Sequence, residues 1–359
     1  VALLDEGNTI PFIARYRKEM TGHIDDQVLR ELAERLNYLR NVEKRKSEVS
    51  SLITEQGKMT GEIASAIAAA ETLTEVEDIY RPYKQKRKTR ATVAVAKGLE
   101  PLADILLAQN ITSGTSEDLA IPFVDAEKGV ESVKDAIAGA EDIIAERVSD
   151  DAELRKKLRR IYLKNGEIVT KLTKTEEDAA KTYEMYADYS ENVAEIKPHR
   201  ILAINRGESE GYLKVKVLID DAFAVRVCEA FFVKNESVTT SNVKNAVADA
   251  YKRLIQPSIE REVRGLLTEN AQEQAIKMFD VNLRPLLMQP PVKDKITMGF
   301  DPAYRTGCKI AVVDGTGKVL ATTVVYPTPP QNKTEAAKAE LKELIDKYHV
   351  DVISIGNGT

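Results

Sequence analysis

The stretch Ile296-Thr-Met-Gly-Phe300-Asp-Pro-Ala-Tyr-Arg305-Thr-Gly-Cys308-Lys-Ile-Ala-Val-Val313-Asp-Gly-Thr-Gly317-Lys-Val-Leu-Ala-Thr-Thr-Val-Val325 decides the fold. Three segments within it, Ile296–Phe300, Cys308–Val313 and Lys318–Val325, are rich in Val, Ile and Thr, whose branched side chains suit a pleated sheet. Asp314-Gly-Thr-Gly317 predicts a hairpin turn between the last two, because glycine reaches positive φ without steric cost. A proline-rich loop, Pro327 to Pro330, leads into a helix with Leu341, Leu344 and Ile345 on one face, followed by the apolar strand Val350–Ile355. Three meandering strands, a crossover helix and a fourth strand are the opening half of a ribonuclease-H-like or actin-like α/β domain.

Upstream, the pattern changes at Pro290-Pro291, and the first 295 residues read as mostly helical. Val28, Leu32, Leu36, Leu39 and Val42 recur every three or four positions, the stripe of an amphipathic helix. Val130, Val133, Ile137, Ala140, Ile144 and Val148 repeat that spacing, and Leu154, Leu158 and Ile161 follow in a basic helix. Ala246, Val247, Ala250, Leu254 and Ile255 predict a helix ending near Gln256-Pro257, since a residue before proline avoids the helical region. A further helix runs from Ser258 towards Phe279. The exception is Tyr212 to Ile219, which alternates with period two after the turn Gly207-Glu-Ser-Glu-Gly211 and so predicts a strand. The expected organisation is a helical region over 1–200, a helical linker with one short strand over 201–295, and an incomplete ribonuclease-H-like domain over 296–359.

The 359 residues carry 52 basic and 57 acidic side chains, a net charge of −5. With 43% apolar residues the chain can bury cores, which excludes global disorder. No charge-free stretch is long enough for a membrane helix. Charge is uneven: residues 1–98 hold 17 basic and 15 acidic groups, whereas residues 99–200 hold 14 and 22. Overall acidity excludes a uniformly basic nucleic-acid coat but leaves room for a local cationic patch. Two cysteines, Cys228 and Cys308, fit a reducing cytoplasm and core thiols rather than a disulfide scaffold. Three histidines, none in metal-ligand spacing, give no zinc site. The chain begins at Val1 and stops at Thr359 just past a strand, which reads as a fragment.

Asp301, just past the first strand of the α/β domain, is where a ribonuclease-H-like nuclease begins a two-metal site. Such a site needs several converging carboxylates. The expected second position, Ile355-Gly-Asn-Gly358, supplies none. Asp301 therefore reads as a vestigial carboxylate or turn residue, with a metal-dependent nuclease as the alternative. The loop Asp301 to Cys308 is also a poor phosphate cradle, because Tyr304 and Arg305 obstruct close backbone approach; Arg305 can instead meet a nucleic-acid phosphate. The densest charge lies in Tyr80-Arg-Pro-Tyr-Lys-Gln-Lys-Arg-Lys-Thr-Arg90, where Arg81, Lys84, Lys86, Arg87, Lys88 and Arg90 are basic. Pro82 keeps this run out of a helix interior. One reading is an arm that neutralises phosphates while Tyr80 and Tyr83 stack on bases; the other is a solvated loop whose tyrosines anchor it to the core. Arg15, Arg17 and Lys18 form a smaller basic cluster on a helix with Phe12 and Tyr16. Arg155, Lys156, Lys157, Arg159 and Arg160 read as the solvated face of a packed helix.

Several blocks resemble the bacterial Tex family of transcription accessory proteins: Leu3 to Gly22, Glu77-Asp-Ile-Tyr-Arg-Pro-Tyr-Lys84 with Thr89-Arg-Ala-Thr92, Lys97 to Ala103, His199 to Glu208, Asn282 to Leu287, and Gly299 to Lys309. The resemblance spans essentially the whole chain. It implies a helical N-terminal region with a helix-turn-helix-like part, then a ribonuclease-H-like YqgF domain. In the family, helix-hairpin-helix modules and an RNA-binding S1 domain follow. It also implies nucleic-acid binding in transcription without dependable nuclease activity, and a likeness to a eukaryotic elongation factor. Asp301-Pro-Ala303 departs from the family pattern, which has glycine in the third place. The expectation is a non-catalytic scaffold that needs no cofactor and binds RNA or DNA through the arm, Arg15, Arg17, Lys18 and Arg305. A polymerase-docking module that touches no nucleic acid is a further alternative.

Overall fold

The computed structural model describes residues 1–173, 178–290 and 292–357. It divides into two compact units, Val1–Ile276 and Lys277–Thr359.

In the first unit, short helices Ile10–Tyr16 and Lys18–Thr21 precede the 30-residue helix α1, Asp26–Glu55, whose N-cap Asp25 accepts from the Gln27 amide. This helix buries Leu29, Ala33, Val42, Val49 and Ile53, whereas Val28, Leu32 and Leu39 of the expected stripe are exposed. Apolar residues at both 28/29 and 32/33 leave two candidate faces about 100° apart. The inward one carries the small Ala33. The helix α2, Leu73–Tyr80, closes a small core with Val42, Val49, Ile53, Ile67, Ala70, Val76 and Tyr80. Helices α3, Arg90–Ala96, α4, Val133–Asp150, and α5, Ala152–Asn165, belong to a second, larger core. That core runs on through Ile201, Cys228, Val243 and Val263 to Ala271, so residues 201–276 are built into the same body rather than forming a linker.

A three-stranded antiparallel sheet sits in that body, in the order β2-β1-β3: β1 Glu167–Leu172, β2 Asp188–Asn192 and β3 Leu213–Leu218. The expected strand is β3, whose Leu213, Val215 and Val217 point inward. The other two lie in the region read as helical. In β1 the inward positions are Ile168 and Thr170, and the Thr170 hydroxyl donates to the Tyr186 carbonyl at 2.5 Å. A buried threonine breaks the apolar alternation, and Asp188-Tyr-Ser-Glu-Asn192 has no β-branched residue at all; β2 exists because β1 offers it an edge.

The helix α6, Asp221–Phe232, and a helix over Thr240–Asp249 lead to a π-helical turn, Ala250–Ile255, and straight on into α7, Gln256–Leu287. The expected break at Gln256-Pro257 is absent. Proline lacks the amide that an α-helical i→i−4 bond needs and crowds that carbonyl. The wider turn absorbs the misfit: the Gln256 amide bonds five residues back to Tyr251, and the chain enters Pro257 already offset.

In the second unit the sheet order is β6-β5-β4-β7, with β4 Thr297–Asp301, β5 Cys308–Val313, β6 Val319–Val325 and β7 Val352–Ile355. Neighbours are antiparallel except β4 and β7, which run parallel across the crossover helix α8, Thr334–Tyr348. Met298, Cys308, Ile310, Val312 and Val325 pack with Ala337 of α8. This is the topology expected from the hairpin and crossover pattern.

Gly166 joins α5 to β1, and a β-carbon built there lies 2.3 Å from the Tyr162 carbonyl oxygen. Gly166→Ala is expected to destabilise the first unit by about 1–3 kcal/mol, read as a lowered denaturation midpoint with unchanged spectra of the folded state.

Candidate nucleic-acid interface

The basic arm begins where α2 ends. Arg81–Tyr83 forms a single 3-10 turn with Pro82 in its first positions, where no amide is needed. A loop follows to Thr89, whose hydroxyl accepts from the Thr92 amide at 3.0 Å and caps α3 at Arg90. The arm is thus fixed at both ends by local geometry.

Its cations divide into two kinds. The Arg81 guanidinium reaches Asp150 of α4 at 3.1 Å, and the Lys86 ammonium bonds the other oxygen of the same carboxylate, with Glu146 at 3.6 Å. Lys84 lies 4.0 Å from Glu77, and Arg90 lies 4.0 Å from Asp142. Arg87 and Lys88 are exposed and have no carboxylate partner among the described residues. Tyr80 is buried beneath the Arg45 guanidinium, and Tyr83 is half-buried against the same core, its carbonyl accepting from Gln56 at 2.9 Å. Tyr80 is therefore an anchor of the arm and is not free to stack on bases, and Tyr83 packs against the same core.

Beside the arm lies a buried ion-pair group that the sequence reading did not foresee. Arg155 of α5 is fully buried; its Nε donates to Asp78 of α2 at 3.0 Å, and its Nη2 bonds Glu262 of α7 and Ser258 at 3.0 Å. Arg159 donates to Asp78 and to Glu262, both at 2.8 Å. Arg155 Nη1 has no partner among the described residues. These two arginines were expected on a solvated face. They lie beside Leu154, Leu158 and Tyr162, the buried stripe of α5, and arginine rather than lysine at that flank is the signal for a planar, multiply bonded pair. Burial alone would raise the Glu262 carboxyl, but Arg155 and Arg159 outweigh it and hold Glu262 below the usual carboxylate range.

The remaining candidates are dispersed. Arg15, Arg17 and Lys18 are exposed at the junction of the two short N-terminal helices, with Arg17 5.1 Å from the centre of the Phe12 ring. They share no hydrogen bond or ion pair with the arm among the described residues. In the second unit, Asp301 ends β4 opposite Lys309, is exposed, and lies near Gly356, where β7 ends. Arg305 is exposed in the loop before the positive-φ Gly307. Among the described residues no group of His, Cys, Asp and Glu could hold a metal ion. Burial raises the Cys228 thiol to about 12, as befits a core thiol. No helix among the described residues is long and apolar enough to cross a membrane.

A helical body carrying a basic arm, followed by a four-stranded mixed sheet of ribonuclease-H-like order, is the architecture that the chain presents for comparison. Family models agree along the chain: a Tex-like N-terminal domain matches residues 1–54, a Tex central region 112–279, and a Tex YqgF-like domain 295–359. The chain belongs to the Tex family. It is 47% identical over its whole length to the uncharacterized protein YdcI of Bacillus subtilis, of which it covers 50%. It is 40% identical to the transcriptional accessory protein Tex of Neisseria gonorrhoeae, covering 47% of it, and 33% identical to human S1 RNA-binding domain-containing protein 1, covering 37%. The chain thus spans about half or less of the length of these relatives.

Arg155→Met leaves Asp78 and Glu262 short of a buried counter-charge and is expected to cost about 3–5 kcal/mol in denaturant titration. Because Glu262 is held low, its pairing stabilises the fold fully above the ordinary glutamate value of about 4.3 and is lost as pH falls through the depressed one. Stability measured against pH should therefore fall through that acid window in the native protein, and fall less in Glu262→Gln, which starts lower at neutral pH.

Proposed function

We propose that this chain is a non-catalytic scaffold of a transcription accessory protein and that its arm contacts RNA or DNA. The observation that carries the reading is the state of Arg87 and Lys88: two exposed cations, without carboxylate partners among the described residues, on a loop pinned by Arg81 and Lys86 to a single aspartate. The pinned loop limits the backbone freedom lost on meeting phosphates, and cations without carboxylate partners release counterions when they do. Membership in a family with relatives named as a transcriptional accessory protein and as an S1 RNA-binding domain protein points the same way. Arg15, Arg17 and Lys18, in the helix-turn-helix-like part, and Arg305 add secondary contacts. Arg81 and Lys86 are assigned a supporting role, since a phosphate would have to compete with Asp150.

The nuclease alternative is less favoured, because Asp301 pairs in register with Lys309, lies near Gly356, and has no acidic cluster fit for a metal ion around it among the described residues. Buried, unpaired Cys228 and Cys308 suit a cytoplasmic setting. RNA polymerase is the natural protein partner for such a scaffold, and binding to it that survives nuclease treatment would mark that contact as direct.

Anisotropy titration of the protein with single-stranded RNA and duplex DNA at two salt concentrations tests the reading. Arg87→Gln with Lys88→Gln should reduce the single-strand salt slope by about 1.4 while leaving the melting temperature unchanged. Arg81→Gln with Lys86→Gln should lower the melting temperature instead. Unchanged affinity and slope in the first pair would reject the arm.

A further inference from the structure

The helix α5 holds a second set of cations that the ion-paired core does not use. Arg155 and Arg159 turn inward, and Lys156 is held at 2.8 Å by Glu75. Lys157, Arg160 and Lys164 remain. They are exposed and have no carboxylate partner among the described residues. Their spacing of three and four places them along one side of the helix, over about 10 Å of its axis.

These three cations line an open groove of about 850 Å³ whose apolar lining is Leu163, Ala194 and Phe231 of α6. Glu153 is the acid that also lines it. The Lys157 ammonium rests 5.1 Å from the centre of the half-buried Phe231 ring. Exposed cations beside a half-buried aromatic suit a ligand that carries regular negative charge and flat apolar faces together. A single strand of nucleic acid has both exposed. A duplex hides its base faces in the stack, and an acidic peptide offers the charge without requiring the ring.

We propose that the groove between α5 and α6 binds single-stranded nucleic acid, its phosphates on Lys157, Arg160 and Lys164 and a base against Phe231. This deepens the polyanion reading above and rests on it, but assigns binding to a different surface from the arm. Base stacking displaces the Lys157 ammonium from the ring towards a phosphate, so the cation stays in use.

The test is titration of the protein with fluorescein-labelled oligo-uridine, with polyglutamate as competitor. Lys157→Gln, Arg160→Gln and Lys164→Gln together should weaken binding about tenfold and lower the salt slope by about 2. Phe231→Leu should weaken binding without changing that slope, and single Arg160→Gln gives the same direction if the triple variant folds poorly. If the groove variants bind like the native protein while Arg87→Gln with Lys88→Gln binds worse, the groove is wrong and the arm reading stands. Absence of oligo-uridine binding by the native protein overturns both. Displacement by polyglutamate at equal charge, with Phe231→Leu indistinguishable from native, overturns the groove in favour of an acidic polypeptide.

Discussion

The buried guanidinium of Arg155 is the constraint around which the first unit is arranged. It lies where α2, α5 and α7 converge, and it bonds carboxylates from both of the other helices. Removing such a charge from water costs several kcal/mol, so its environment has to supply directed acceptors. Asp78 and Glu262 do so, and Arg159 supplies the second positive charge that keeps the group from carrying excess negative charge. Asp78 belongs to the last turn of α2. The position of that turn sets where Arg81 leaves the helix, and hence where the arm meets Asp150.

From this arrangement comes a division of labour among the cations. Arg81, Lys86, Lys156, Arg155 and Arg159 all have close carboxylates, and their positive charge is spent within the protein. Local charge density in the sequence is therefore a poor guide to what a phosphate would find. In the arm, six basic residues reduce to two without any carboxylate within 4.0 Å among the described residues, and the acidic middle of the chain supplies much of the neutralisation through Asp142, Glu146 and Asp150. On α5 the same accounting leaves Lys157, Arg160 and Lys164.

The second unit was legible to within two residues at each strand boundary, because β-branched runs, a glycine turn and an amphipathic helix all point to one topology. β1 and β2 were not legible: one hides a hydrogen-bonded threonine, and the other gains its form from its neighbour. The continuation through Pro257 was hidden because a π turn leaves no mark in apolar spacing. Tyr80 and Tyr83 look alike as base-stacking aromatics or as anchors until the core of Val42, Val49 and Ile53 takes in the first and packs against the second. The family resemblance was legible from ordered blocks; which cations are paired required the positions of carboxylates up to about a hundred residues away, such as Glu262 on Arg155.

Lysine reactivity reports this partition directly. With limiting acetylating reagent and mass-spectrometric readout, Lys86 and Lys156 should react several-fold more slowly than Lys88, Lys157 and Lys164 in the free protein. Saturating oligo-uridine should then slow the latter three and leave Lys86 unchanged. If Lys86 reacts as fast as Lys88, or if nucleic acid protects Lys86 while Lys88, Lys157 and Lys164 stay reactive, the assignment of paired cations to the fold and unpaired cations to the polyanion is wrong.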